Sequence, residues 1–184
     1  PTLIDYTDQP RLQWNDLLKH RPIPLHWTAG EGLAHWIWQD EQSQLLVSNN
    51  ERGLISLGRV NAEDFRIQVG VHQNGWAGGI GIFMGMDDAG FDPLNPRWSC
   101  QVLSIHQTAG PNGARTNRID FSTLQAIPSP KGGVEFHETA HGSDSVRSLV
   151  GEALFEVTIR GGRAVQIQVD GVPFRDLRRF RTSA

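Results

Sequence analysis

Apolar residues recur at every second position along much of the chain, the period of a half-buried β-strand rather than of a helix. Phe65, Ile67, Val69 and Val71 alternate with Arg66, Gln68, Gly70 and His72. Ile80, Ile82, Met84 and Met86 repeat the pattern, with Gly79, Gly81, Phe83 and Gly85 between them. The loop-forming residues that separate these segments predict a long-looped hairpin. A second hairpin is signalled by Phe155, Val157 and Ile159 before Gly161-Gly162, and by Val165, Ile167 and Val169 after it. A two-residue loop would set Val157 against Gln166. A three-residue connection from Gly161 to Arg163 sets Ile159 against Val165 and Val157 against Ile167, and this longer turn is the prediction. Asp170-Gly171 reads as a further tight turn.

Other strand-like segments are Leu33 to Trp38, Gln44 to Val47, Leu54 to Leu57, Trp98 to His106, Arg118 to Phe121 and Gly133 to Thr139. About ten strands are enough for two packed sheets. The one candidate helix runs from about Pro10 to Leu18, with Asp8 as its cap. The fold class expected is therefore all-β: a two-sheet antiparallel jelly-roll sandwich with at most one short N-terminal helix. The 184 residues suit a single sandwich domain spanning 1–184, residues 1–30 reading as an N-terminal extension packed on it.

Composition narrows the function classes. A formal net charge of -3 gives no general attraction to a phosphate backbone, so no nucleic-acid partner is expected. The arginines at 175, 178, 179 and 181 read as a solvated tail. No apolar run reaches membrane-spanning length and no signal peptide is visible, so a soluble chain without a membrane partner is expected, its compartment open. Cys100 is the only cysteine. An internal disulfide is thereby impossible, and the pattern Trp98, Cys100, Val102 reads as a buried thiol.

Two stretches, "DFRIQVGVHQNGWAGGIGIFMGM" and "ALFEVTIRGGRAVQIQVDGVPF", resemble the concanavalin A-like lectin and glucanase superfamily, and most closely its laminin-G-like and 3-keto-disaccharide hydrolase-like domains. The likeness lies in an Asp-Phe strand start at Asp64-Phe65, a Gly-rich strand, and a hairpin closing on Val169-Asp170-Gly171. It implies a jelly-roll sandwich. Glucanases of the superfamily carry a Glu-x-Asp-x-x-Glu type of strand, and this chain has no Glu-x-Asp triplet. A separated carboxylate set such as Glu135, Glu152 and Glu156 would have to meet in space to replace it.

Three constellations could carry chemistry. His137-Glu138-Thr139-Ala140-His141 satisfies the His-Glu-x-x-His zinc pattern, which requires a helix to bring both imidazoles to one metal. Its flanks are rich in glycine and alternate as a strand, and on a strand the two histidines would lie about 13 Å apart. Asp87, Asp88, Asp92 and Asn95 form either an ordinary acidic turn or a calcium site of hard oxygen ligands. Among the 6 tryptophans, Trp36 and Trp38 read as core. Trp76, beside Asn74, and then Trp98 are the candidates for an exposed sugar-stacking face.

The function expected is a non-catalytic module that binds a glycan or another protein through Trp76, Trp98, Asn74, Asp87 and Asp88. A sugar-active hydrolase and a zinc hydrolase using His137, Glu138 and His141 stand as alternatives. Apart from the zinc of that last alternative, calcium is the one cofactor the sequence suggests.

Overall fold

A computed structural model of the chain describes residues 14–24, 35–48, 54–60, 62–72, 79–86, 97–109, 115–131, 134–146 and 152–174. In chain order the strands are β1 (Ile23–Pro24), β2 (His35–Gln39), β3 (Gln44–Ser48), β4 (Ile55–Ser56), β5 (Phe65–His72) and β6 (Gly79–Met84). They continue as β7 (Trp98–Ala109), β8 (Arg115–Pro128), β9 (Val134–Val146), β10 (Glu152–Arg160), β11 (Arg163–Val169) and β12 (Val172–Pro173). Two antiparallel four-stranded sheets result, ordered β12-β11-β10-β5 and β6-β7-β8-β9.

The alternation read from the sequence supplies the interior of this sandwich. Ala153, Phe155, Val157 and Ile159 of β10, with Ala164, Ile167 and Val169 of β11, come from one sheet. Leu103 and Ile105 of β7, with Ile119 and Phe121 of β8, come from the other, and all join one hydrophobic cluster. Phe65, Ile67, Val69 and Val71 of β5 pack against it, as does Ile82 of β6. Each fully buried side chain of this size contributes roughly 1.5–3 kcal/mol. The expected all-β, two-sheet architecture is thus the observed one.

Two details of pairing differ from expectation. β5 and β6 do not form a hairpin: β5 pairs with β10, setting Ile67 against Val157, and β6 pairs with β7, setting Ile82 against Leu103. Both strands point their apolar residues into the same core, but from opposite sheets. Alternation specifies the inward face and leaves the neighbour open.

The β10–β11 hairpin closes through the two-residue Gly161-Gly162 turn rather than a three-residue one, pairing Arg160 with Arg163 and Ile159 with Ala164. Both glycines have positive φ, 54° and 65°, the conformation of a type I′ turn. The register is corrected further along. A bulge between Thr158 and Ile159 absorbs one extra residue, Val165, and restores Val157 opposite Ile167. Val165 is accordingly 48% exposed.

The aspartates of the two quoted stretches hold these turns. Asp64 Oδ1 accepts a 2.8 Å hydrogen bond from the Gly161 amide. Asp170, at φ 51°, accepts one of 2.8 Å from the Leu154 amide through Oδ1.

The chain divides into two compact units, Pro1–Ala62 with Phe91–Pro96 and Pro128–Glu135, and Glu63–Gly90 with Arg97–Ile127 and Phe136–Ala184. The second contains the sandwich core. Within the first, β1 pairs with β4 and β2 with β3. The expected helix is absent over its described part, 14–18. Instead, Asp16 Oδ1 accepts from the Leu18 amide at 2.9 Å, and the Ser43 hydroxyl donates to Oδ2. The Ser43 bond first, and the Leu18 amide second, hold the Asp16 carboxyl below the usual carboxylate range. An aspartate bonding the backbone two residues on favours a turn over a helix. The Trp38 indole donates to the Leu18 carbonyl at 2.8 Å and is half-buried, while the side chain of Trp36 lies outside the described residues.

Candidate functional site

The long strands β7 and β8 change the face they bury partway along their length. At one end the odd-numbered residues Leu103 and Ile105 of β7 and Ile119 and Phe121 of β8 enter the core. At the other end the even-numbered residues Trp98 and Cys100 of β7 and Leu124 and Ala126 of β8 are buried, and they belong to the opposite face. Pairing stays regular throughout, with Cys100 opposite Leu124 and Leu103 opposite Phe121, so no bulge causes the change. The sequence itself slips phase, at Val102-Leu103 in β7 and between Phe121 and Leu124 in β8. Cys100 is buried, as its pattern implied.

The inner face of β7, β8 and β9 therefore turns polar beyond Phe121. Gln101 Nε2 donates to Thr123 Oγ1 at 3.0 Å, and Thr123 Oγ1 lies 2.6 Å from His141 Nε2. The His141 ring also packs on Phe121, with centroids 5.3 Å apart. This row spans three strands at the margin of the core. Its members are half-buried, while Gln125, His137 and Thr139, further out on the same face, are exposed. Gln101 Oε1 is buried and has no hydrogen-bond partner. Such an acceptor costs about 1–3 kcal/mol unless something donates to it.

A second polar group lies on the outer face of the same sheet. Ser104 Oγ is 2.8 Å from His106 Nε2, and Asp120 Oδ2 is 3.9 Å from that same nitrogen. Arg118 Nε contacts both Asp120 oxygens, at 2.8 and 2.9 Å. Deeper on this face, the Ser122 hydroxyl donates to Glu138 Oε1 at 2.6 Å. Serine, histidine and aspartate together invite comparison with a hydrolytic triad, but there the carboxylate must hold Nδ1 while the serine engages Nε2. Here both meet Nε2. Nδ1 lies against Gly79, where an added Cβ would come within 2.3 Å of it.

The residues singled out from the sequence fare unevenly. His137, Glu138 and His141 lie on β9 and not on a helix. The helical spacing that would bring both imidazoles to one zinc ion is not formed. The three residues instead diverge: Glu138 bonds Ser122, and His141 bonds Thr123. Among the described residues no group of three or more His, Cys, Asp or Glu side chains could hold a metal ion.

Trp98, expected to be an exposed stacking platform, is buried. Its ring packs on Phe136 with centroids 5.8 Å apart, and its indole N–H has no hydrogen-bond partner. The reason is the phase slip, which turns Trp98 to the buried face at its end of β7. Asn74, Trp76, Asp87, Asp88, Asp92 and Asn95, and with them the calcium expectation, lie outside the described residues.

The separated carboxylates find individual partners. Glu152 and Glu156 sit four residues apart on β10, about 13 Å along a strand, beyond the spacing of a glycosidase pair. Glu156 is held by Gln68 and Arg66, Glu152 faces His72 at 3.7 Å, and Glu135 accepts from Ser129 at 2.7 Å. Sequence reasoning did not nominate Gln101, Thr123, Ser104 or Asp120. The signal that could have found the first two is the phase slip, which places polar residues on a face that is apolar two positions away.

No protein-family model, no curated protein and no solved structure matches the chain. Among the described residues no helix is long and apolar enough to cross a membrane.

Proposed function

We propose that this chain is a non-catalytic β-sandwich module of the concanavalin A-like kind, and that it binds a neutral, hydroxyl-rich ligand, a glycan, on the polar end of the inner face of β7–β9. The observation that carries this reading is the half-buried polar row Gln101–Thr123–His141, which crosses three strands where the inner face leaves the apolar core. The exposed Gln125 and Thr139 on the same face add amide and hydroxyl groups, donors and acceptors of the kind that sugar hydroxyls use. Glu152 and Glu156, about 13 Å apart along β10, do not form a pair at glycosidase spacing, which favours binding over hydrolysis. The Asp-Phe strand start and the Asp-Gly hairpin turn support the kinship, since both aspartates hold turns of the sandwich.

The test is a glycan array on the intact chain, followed by titration of the hits with the His141 ring resonances as readout. Neutral oligosaccharides are expected among the hits, and Thr123→Val is expected to weaken them at least tenfold while the chain stays folded. A blank array, or hits indifferent to Thr123→Val, contradicts the proposal.

A further inference from the structure

We infer a second ligand site on the opposite, outer face of the β6–β9 sheet, formed by His106, Arg118 and Asp120 beside Gly79, with the vicinal diol of a sugar as the ligand class. This site and the inner-face row use opposite faces of the same strands, so each stands without the other.

Three features distinguish this group from an ordinary wet sheet face. The imidazole is fixed from two sides. Ser104 Oγ holds Nε2 at 2.8 Å, and the absence of a side chain at Gly79 lets the ring lie across β6, where an added Cβ would come within 2.3 Å of Nδ1. Asp120 is held at the same time by Arg118 and is mostly covered, its side chain only 14% exposed. Arg118 uses Nε alone for that contact. Its terminal amino groups remain outside the contact, on a side chain that is 50% exposed.

A carboxylate with further lone pairs next to a guanidinium with further N–H groups offers acceptors and donors side by side. Two adjacent sugar hydroxyls, each both donor and acceptor, match that pair. Because Asp120 balances Arg118, the pair selects a neutral ligand rather than an anion.

The experiment titrates the intact chain with methyl α-mannoside, methyl β-glucoside and methyl β-galactoside separately, following the His106 ring and the Gly79 and Gly81 amides by NMR. At least one glycoside is expected to shift these signals saturably, and Asp120→Asn to weaken that glycoside at least tenfold. Arg118→Met serves as the second variant should Asp120→Asn disturb the fold, and the same loss is expected. The His141 signals report the inner-face site in the same spectra, so failure at one site is read apart from failure at the other. Saturable shifts confined to His141, shifts at neither site, or binding at His106 unchanged by both substitutions would overturn the inference.

Discussion

Leu124 and Gln125 are neighbours on β8 with opposite roles, and the change of buried face makes a quantitative claim about them. Leu124 is 1% exposed, whereas Gln125 is exposed on the inner face. Leu124→Ala removes the buried isopropyl group opposite Cys100, a loss of about 2–5 kcal/mol including the cavity left behind. For a chain of this length each kcal/mol lowers Tm by roughly 2–4 °C, so a drop of roughly 4–20 °C is expected. Gln125→Ala should stay within about 0.5 kcal/mol of the parent chain. Urea unfolding, with equal m-values checked for both variants, reads the difference directly. A Leu124→Ala cost below about 1 kcal/mol, too small for a leucine truncated inside a packed core, or a larger cost for Gln125→Ala, would refute the reasoning. Either result would put the strand's inside and outside the other way round.

Three further outcomes follow from the same geometry. Gly161, at φ 54° with open space around its α-carbon, should accept Asn with little loss, while Gly161→Val should cost about 1–2 kcal/mol by thermal melting. Gly81→Ala should release β6, because the new Cβ would lie 2.2 Å from the Leu103 carbonyl oxygen and 2.7 Å from Ser104 Cα, and faster amide exchange in 79–84 is the readout. The Glu156 carboxyl is held below its usual range, first by the Gln68 hydrogen bond and then by Arg66. Its stabilising contribution is therefore complete above the ordinary carboxylate range and is lost as pH falls through the depressed folded-state value. The Tm difference between the parent and Glu156→Gln should shrink over that acid window, and a difference constant from neutral to strongly acid pH would contradict it.

The strands of the sandwich were legible because two-residue alternation is a local property. Phe65 to Val71 and Phe155 to Ile159 bury the residues their pattern assigns to the core. Neighbour choice was less legible, since pairing β5 with β10 and β6 with β7 is decided by contacts far apart in sequence. The Gly161-Gly162 hairpin shows a similar ambiguity on a small scale. A longer turn and a short turn with a bulge both place Val157 opposite Ile167, and two consecutive positive φ angles at glycines admit the shorter one.

The candidate sites divide in the same way. That the strand reaches Thr139, and that residues 137–141 are not a helix, was written in their glycine-rich, alternating flanks, whereas its continuation through His141 to Val146 was not. The Gln101–Thr123–His141 row joins three strands, and no local window contains it. Its trace in the sequence is the apolar phase slip at Val102-Leu103 and after Phe121, which is recognised as a change of face only once both strands are known to pair without a bulge.

That change of face is tested most directly by thiol labelling in a Cys100→Ala background, with single cysteines placed at 124 and at 125. The cysteine at 125 should react in the native chain at nearly the rate of a free thiol, and the one at 124 only as fast as the chain unfolds. Fast native labelling at 124, or protection at 125, would contradict the account.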